Sequence, residues 1–279
     1  METELRQQWQ ENGAVLVKNC LNAEQLADCR EVFDWCVENP GPHVSGMFSG
    51  EQRSHVDNSN PRAKERLDQL VQRLPFGRIF SELWGSENVW YFGEEVFLKS
   101  GGKSARTSFH QDTSYLPWGG THWGNVWISF EAVPKKNSLE IVRGSHRGIY
   151  YDGPTFEDPN NPTAPLHGET AVPFRPRLPD VDAELSHDPK AYDLLSWDVE
   201  PGDVVFLHPH SLHGGAHVDA QFPERHTLVL RFFGDDAIYY PLPQNSASRI
   251  PPEGVLFVEE MKKLTEGQPF RSPVFQQVV

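Results

Sequence analysis

The sequence predicts an α+β protein whose core is a double-sheet jelly roll preceded by helices. Helical apolar patterns dominate residues 1–87, and short β-rich runs separated by Gly, Pro, Asn and Lys turns begin at Asn88. Helices followed by a series of short strands are typical of α+β chains, and closely spaced strands of this kind pack as two antiparallel sheets.

The N-terminal part contains recognisable helix signals. Asn22 is followed three positions later by Gln25, which resembles a capping box and predicts a helix start. Pro75 predicts a break in the last helical stretch. The predicted elements are a helix over 1–12, a strand over Ala14–Val17, a helix from Asn22 and a helical stretch over 62–84.

The later part contains six β-rich runs and one long interruption. Residues 151–190 are rich in Pro, Asp and Asn, and residues 40–61 in Gly, Pro, Ser and His, so both are predicted to be loops that roof a pocket. The predicted strands are Val89–Lys99, Thr107–Tyr115, Asn125–Val133, Leu139–Arg143, Asp203–Leu207 and His226–Gly234.

The chain is predicted to form one domain, since no stretch reads as a linker. Its 279 residues are enough for a single β-rich domain with a dry internal site. Within it we expect a helical part over about 1–87, a jelly-roll core over about 88–240 and a C-terminal extension over 241–279.

Composition excludes several classes of partner. A net charge of −14 argues against general binding to nucleic acid or to anionic membranes, because both require a basic face. No apolar run is long enough for a transmembrane helix, and the N-terminus lacks the apolar core of a signal peptide. The three cysteines, Cys20, Cys29 and Cys36, indicate buried thiols in a reducing compartment. We therefore expect a cytoplasmic protein.

The pair His110 and Asp112 is the main chemical signal. In a strand, side chains two positions apart point to the same face, so both could reach one ion. A further ligand is needed, because one imidazole and one carboxylate leave a divalent metal under-coordinated. Two histidines and one carboxylate on one face of an octahedron are the ligand set of non-haem iron(II) oxygenases.

The third ligand is expected in a histidine-rich run that follows the Asp203–Leu207 strand. Histidines stand at positions 208, 210, 213 and 217, and spacing alone does not choose among them. We favour His213, because Gly214 and Gly215 after it permit close backbone approach and an unusual turn beside a metal.

Arg225, twelve residues beyond His213, is the candidate for an anion-binding residue. An oxygenase that uses 2-oxoglutarate needs a cation for the far carboxylate of that co-substrate, and an arginine can bind it with two parallel hydrogen bonds. Arg231 has the same strand parity as Arg225, so it could bind an anionic substrate or pair with an acid.

In this order the motifs resemble those of the phytanoyl-CoA dioxygenase family of 2-oxoglutarate oxygenases, over about residues 10–240. The resemblance is carried by His110-Gln111-Asp112, Tyr115, Pro117, Trp127, Asn137, Leu139, Gly144-Ser145-His146-Arg147, Pro201-Gly202-Asp203, His213-Gly214 and Arg225. One departure is Arg143, where many relatives have proline, and it concerns a loop.

This resemblance implies a double-stranded β-helix, a cupin-like jelly roll with N-terminal buttressing helices. It implies iron(II) bound by His110, Asp112 and His213, and 2-oxoglutarate bound by Arg225, with Gln111 and Trp127 lining the co-substrate pocket. The implied reaction is oxidation of a C–H bond of a small-molecule metabolite or natural product, with dioxygen consumed and succinate and CO2 released. Asp112 argues against halogenation, since related halogenases carry a small residue there.

Two classes of alternative stay open at this point. A cupin-like isomerase or binding protein would keep His110, Asp112 and His213 but would not need Arg225. A zinc hydrolase would need a base, and Glu131 is the obvious candidate. The identity of the substrate, the type of oxidation and the oligomeric state are not predicted.

Overall fold

Helices precede most of the strands along the chain, as predicted. The computed structural model describes residues 2–42, 44, 48–49, 52–104, 106–158, 160–244 and 260–279. The α-helices in these ranges are α1 (Glu2–Asn12), α2 (Ala23–Glu38), α3 (Lys64–Val71), α4 (Phe76–Trp84) and α5 (Val181–His187). The strands are β1 (Ala14–Val17), β2 (Phe48–Ser49), β3 (Gln52–Asn58), β4 (Val89–Ser100), β5 (Thr107–His110), β6 (Trp118–Gly119), β7 (Trp123–Ser129), β8 (Leu139–Val142), β9 (Leu194–Leu195), β10 (Val204–Leu207), β11 (His213–Gly215), β12 (Glu224–Gly234), β13 (Ile238–Tyr239) and β14 (Gln276–Gln277).

Two antiparallel sheets form the core. The large sheet has the order β1-β10-β7-β12-β4-β3-β2, with β14 added beside β4, and the small sheet has the order β5-β11-β8-β9. Apolar side chains of both sheets, including Trp127 and Val229 from the large one and Ile141 from the small one, share one buried cluster. The sheets therefore face each other, and the predicted jelly roll is confirmed.

The two faces of the large sheet have different partners because side chains alternate along each strand. On β12, Leu228 and Leu230 belong to the cluster that packs against the helices, whereas Val229 between them belongs to the cluster between the sheets. Residues 225, 227, 229 and 231 therefore point into the space between the sheets.

The N-terminal helices cover the outer face of the large sheet. Trp9 from α1, Phe33 from α2 and Phe80 from α4 are buried in the same cluster as the outer residues of β7, β10 and β12. The capping box predicted at Asn22 is present, with the Gln25 amide donating to Asn22 Oδ1 at 2.9 Å. Cys29 and Cys36 are buried in this layer, and burial raises the pKa of each thiol to about 12.

The prediction of a loop over 40–61 was wrong in part. Gln52–Asn58 is strand β3, which pairs with β4 from Arg53 opposite Ser100 to Asn58 opposite Glu95. Its sequence is polar and lacks the alternating apolar residues that predict a strand. The strand forms through backbone hydrogen bonds with β4. Residues 43, 45–47, 50 and 51 of the predicted roof lie outside the described residues.

Residues 260–279 return to the large sheet. Phe270 and Phe275 pack with Trp123 and Phe233 in an aromatic cluster, and β14 pairs with β4. The division of the chain into three parts stays a prediction, although β1 and β3 show that the N-terminal part contributes strands to the core. Among the described helices, each is too short or too polar to cross a lipid bilayer.

Candidate metal and co-substrate site

Two histidines from neighbouring strands come together at one end of the small sheet. His110 is the last residue of β5 and His213 the first residue of β11, and the two are paired in register. Their ring centroids lie 4.3 Å apart. The site therefore depends on the pairing of β5 with β11.

Backbone contacts orient both imidazole rings. Nδ1 of His110 lies 2.8 Å from the Ser108 carbonyl oxygen, and Nδ1 of His213 lies 2.9 Å from that of Ser211. With Nδ1 used in this way, both Nε2 atoms face the space between the rings. Such outer hydrogen bonds fix the tautomer of histidines that bind metals.

Asp112 completes the group, although its local structure differs from the prediction. The strand ends at His110, and Asp112 begins a 3-10 turn over Asp112–Ser114, so the predicted strand over Thr107–Tyr115 was too long. Gln111 is still extended, with φ −118° and ψ 129°, which keeps His110 and Asp112 on the same side. The turn is held by the Asp112 amide, which donates to the Pro209 carbonyl at 2.8 Å.

The three side chains present their donor atoms to one point. Oδ1 of Asp112 lies 3.4 Å from Nε2 of His110 and 3.6 Å from Nε2 of His213. All three donor atoms are within 4.8 Å of one another. Two imidazole nitrogens and one carboxylate oxygen in this arrangement suit a divalent iron ion and leave other coordination positions open.

The second oxygen of Asp112 is engaged elsewhere. Asn125 on β7 donates a hydrogen bond to Oδ2 at 2.7 Å, and Arg231 on β12 lies 3.6 Å from the same atom. Arg231 also pairs closely with Glu95 on β4, so of its two predicted roles the structure shows the pairing with acids. With Oδ2 held, Oδ1 alone is turned toward the histidines.

Asp112 and His213 have protonation states that suit a cation. Burial works to lower the pKa of His110, but the hydrogen bond with Asp112 raises that pKa above its ordinary value. Burial works to raise the pKa of the Asp112 carboxyl, but the contacts with His110, His213 and Arg231 hold that pKa well below its ordinary value. Burial, together with nearby His110, lowers the pKa of His213 to about 4. At neutral pH the site therefore offers an ionised carboxylate and a neutral imidazole.

The glycines that follow His213 have the role expected of them. A Cβ on Gly214 would lie 2.7 Å from the Thr107 carbonyl oxygen, and Gly215 has φ +83°. Two other histidines of the run point elsewhere: His208 lies 3.2 Å from the Thr121 carbonyl oxygen and His210 lies 2.8 Å from the Thr113 hydroxyl. His217 is not part of the group of converging donor atoms, which consists of His110, Asp112 and His213. Geometry thus selects His213 where spacing did not.

Arg225 is a buried cation with unused hydrogen-bonding capacity. It faces the space between the sheets with 2% of its surface exposed, and its Nε and Nη1 have no hydrogen-bond partner in the described part of the chain. Burial lowers its pKa to about 10, which still leaves it charged at neutral pH. Thr227, two positions along the same face, has a buried hydroxyl that also lacks a partner among the described residues. These groups suit a buried carboxylate.

Trp127 borders this cationic position. Its ring centroid lies 6.0 Å from the Arg225 guanidinium carbon, and the indole is buried between the sheets. Gln111 is placed differently, since its amide nitrogen donates to the carbonyls of Ile149 and His210 and its oxygen accepts from the Tyr151 amide. Gln111 therefore holds the 149–151 segment, and direct contact of Gln111 or Trp127 with 2-oxoglutarate stays a prediction.

Part of the predicted 151–190 roof reaches the triad. Phe156, whose side chain is 52% exposed, has its ring 5.2 Å from the His110 ring and 6.0 Å from the Tyr115 ring. Tyr115 donates to the Pro154 carbonyl at 2.8 Å, which ties the roof segment to the 3-10 turn. One wall of the site is therefore aromatic.

The sequence interpretation did not identify Asn125 or Thr227. Each lies two positions from a predicted residue of the same strand and therefore on the same face: Asn125 from Trp127, and Thr227 from Arg225. That shared face is the signal that could have found them.

Comparison with known proteins identifies the family of this chain. The profile of the phytanoyl-CoA dioxygenase (PhyH) family matches residues 9–226. The chain belongs to this family. It is a 2-oxoglutarate-dependent dioxygenase, and its cofactors are iron and 2-oxoglutarate.

Curated relatives are similar over most of their length. The peroxisomal phytanoyl-CoA dioxygenase of Rattus norvegicus is 22% identical over 277 residues, which cover 93% of this chain and 76% of the rat protein. A probable phytanoyl-CoA dioxygenase of Caenorhabditis elegans is 25% identical over 263 residues, which cover 86% of this chain and 78% of the nematode protein.

Solved structures share the fold. The epimerase SnoN of nogalamycin biosynthesis, in complex with Fe3+, alpha ketoglutarate and nogalamycin RO, superposes with a TM-score of 0.68 at 17% identity, covering 100% of this chain and 98% of SnoN. EctD from S. alaskensis with bound Fe superposes with a TM-score of 0.65 at 12% identity, covering 98% of this chain and 89% of EctD.

Glu131, the base that the zinc-hydrolase alternative requires, does not face the triad. The Glu131 carboxylate accepts from the His226 amide at 2.9 Å and lies 3.5 Å from Arg30 of helix α2. His226 lies on the helix side of β12, so Glu131 faces away from the triad.

Proposed function

We propose that this dioxygenase hydroxylates, or otherwise oxidises, a C–H bond of a small-molecule metabolite or natural product, with release of succinate and CO2. The supporting observation is that the His110–Asp112–His213 triad shares the core with buried Arg225, whose Nε and Nη1 have no hydrogen-bond partner among the described residues. An isomerase or binding protein of the same fold that does not use 2-oxoglutarate does not require that arginine.

The triad would hold iron(II) through Nε2 of each histidine and Oδ1 of Asp112. Asn125 and Arg231 hold the other oxygen of Asp112, so one carboxylate contributes one ligand atom. The coordination positions that these three residues do not fill would be available to co-substrate and dioxygen.

Arg225 would bind the far carboxylate of 2-oxoglutarate, with the Thr227 hydroxyl as a second donor and Trp127 as a neighbouring wall. Burial strengthens such a charge-assisted hydrogen bond, because little water competes for the guanidinium. With iron and 2-oxoglutarate bound, dioxygen would be the oxidant: one oxygen atom would go to 2-oxoglutarate, giving succinate and CO2, and the other would oxidise the C–H bond.

The substrate would enter on the side of the aromatic wall. Phe156 and Tyr115 lie beside His110 there, and the Tyr115 hydroxyl is occupied by Pro154. Apolar side chains in this position exclude water from the reacting C–H bond and provide contact area for an apolar part of the substrate.

Iron titration of two histidine variants tests the metal assignment. We expect His213→Gln to abolish stoichiometric iron(II) binding and 2-oxoglutarate-dependent succinate release. His208→Gln is the matched control, because burial lowers the pKa of His208 to about 3 and a neutral amide can replace its neutral ring. Equal iron binding by the wild type and His213→Gln would refute the assignment.

Succinate release by the wild type, coupled one to one with loss of a candidate substrate, tests the reaction itself.

A further inference from the structure

The space between the two sheets is least closed along strand β4. On the inner face of β7 and β12, Asn125, Trp127 and Val229 are buried. On the inner face of β4, Glu95 and Phe97 are only half-buried, although Phe97 packs against the apolar cluster between the sheets. A molecule from solvent can therefore reach the inner face of the core on this side.

Glu95 is the charged residue of β4 at this opening. It is paired in register with Val229 on β12 and with Asn58 on β3, so all three side chains leave the inner face of the large sheet. Asn58 is half-buried as well. Directly opposed residues in an antiparallel pair have Cβ atoms about 5 Å apart, so a carboxylate and an amide stand side by side here.

Arg231 connects Glu95 to the triad. A single nitrogen of its guanidinium, Nη2, pairs closely with Oε2 of Glu95 and lies 3.6 Å from Oδ2 of Asp112. The two carboxylates are therefore separated by one nitrogen atom. A small molecule held at Glu95 would lie beside an ion bound by the triad.

The second oxygen of Glu95 is available to a ligand. The contact with Arg231 uses Oε2, and no residue in the described part of the chain donates a hydrogen bond to Oε1. The side chain keeps 19% of its surface exposed. An ionised carboxylate only accepts hydrogen bonds, so its partner has to be a donor.

The charges around Glu95 favour some head groups over others. The positive charge of Arg231 is shared by two carboxylates, those of Glu95 and Asp112, so this part of the core does not attract a further anion. A hydroxyl or an ammonium group can donate to Oε1, whereas a carboxylate there would be repelled.

We propose that Glu95, with Asn58 beside it, binds a hydrogen-bond-donating group of the substrate, a hydroxyl or an amine, close to the C–H bond that is oxidised. The proposal rests on the proposed function, since it requires iron at the triad and a substrate next to it. It defines the substrate class as a molecule with a neutral or cationic donor at its reacting end. The aromatic wall of Phe156 and Tyr115 would contact the apolar part of the same molecule.

The test is anaerobic titration of the protein loaded with iron(II) and 2-oxoglutarate. The probes are 1-hexanol, hexylamine and hexanoate, which have the same chain length and differ in the head group. A molecule that binds beside the iron shifts the visible charge-transfer band of the iron–keto-acid chelate, and this readout needs no turnover. We expect hexanol or hexylamine to shift the band at concentrations about tenfold below those of hexanoate, the usual effect of a hydrogen bond to a charged group. The more effective of the two identifies the donor as a hydroxyl or an ammonium group.

Glu95→Gln tests the role of the carboxylate, because it removes the charge and keeps the shape. We expect this variant to lose the preference over hexanoate, since Arg231 then lacks one of its two counter-charges. The readout is a ratio between probes on the same protein, so a general loss of iron affinity would not change it. Glu140→Gln is the matched control and should keep the wild-type ratio, because Glu140 also pairs with an arginine, Arg106, but lies on the outer face of β8.

The wild type alone can overturn the proposal. It would do so by binding hexanoate as tightly as the other probes, or by showing no shift of the band with any of the three. Retention of the wild-type ratio by Glu95→Gln would overturn the proposal as well, and if that variant does not fold, the order of the probes on the wild type decides. A wild type without a charge-transfer band in the presence of iron(II) and 2-oxoglutarate would refute the proposed function instead.

Discussion

The two carboxylate oxygens of Asp112 contact different groups. Oδ1 faces His110 and His213, while Oδ2 accepts a hydrogen bond from Asn125 and lies close to Arg231. Because the outer contacts take up Oδ2, the carboxylate is held in one rotamer before any ion arrives. Hydrogen bonds that orient the ligands of a metal commonly contribute to metal affinity.

Removal of the amide from Asn125 should therefore weaken iron binding without removing a ligand. We expect Asn125→Ala to lower iron(II) affinity about 10- to 100-fold, as is typical for groups that orient metal ligands. Titration with iron(II) under anaerobic conditions measures this. Asn137→Ala is a matched control, since Asn137 is also buried but bonds to the His217 carbonyl and Asp219. Equal loss of affinity in both variants would mean that Asn125 acts only through stability.

The three-residue strand β11 carries His213 and joins β5 to β8 in the small sheet. It pairs with β5 on one side and β8 on the other, and its register shifts between His213 and Gly215. At Gly214 the backbones of β11 and β5 approach closely, since a Cβ built there would lie 2.7 Å from Thr107 O and 3.1 Å from Phe109 N. The short strand thus fixes the separation of His213 and His110.

A methyl group at Gly214 should push β11 away from β5. We expect Gly214→Ala to lower the free energy of unfolding by about 1–3 kcal/mol, the usual cost of overpacking, and to weaken iron(II) binding in parallel. Urea denaturation and iron titration measure the two effects. Gly93→Ala on β4 is the control, because its Cβ would meet its nearest neighbour at an ordinary 3.4 Å. Normal iron affinity in Gly214→Ala would contradict the positioning role.

Elements with a strong local signal could be predicted, and those defined by distant partners could not. The capping box at Asn22 and the break before α4 depend on neighbouring residues, and both are present. Strand β3 has a polar sequence and exists because β4 offers its edge. The 3-10 turn at Asp112 depends on the Pro209 carbonyl, which lies far along the chain. Sequence patterns report interactions between neighbouring residues, and they do not report interactions between segments that are distant in sequence.

In the whole molecule, the order of motifs predicts the class of fold and the main site. Helical patterns precede alternating strands, and His110, Asp112, His213 and Arg225 follow one another within residues 9–226, which the family profile matches. The supporting residues depend on register between strands that are distant in sequence. Asn125 on β7, for example, contacts Asp112 only because the two sheets face each other.

The central claim is that one core holds iron at the triad and 2-oxoglutarate at Arg225. The most direct test is anaerobic titration with iron(II) and 2-oxoglutarate, following the weak visible charge-transfer band of the iron–keto-acid chelate. We expect a band in the wild type, and Arg225→Ala should need at least about 30 times more 2-oxoglutarate, since losing one partner of a buried charge pair costs roughly 2 kcal/mol or more. Arg143→Ala, which removes a surface pair with Asp193, should titrate like the wild type. Tight iron binding by the wild type with no band at any 2-oxoglutarate concentration would contradict the account.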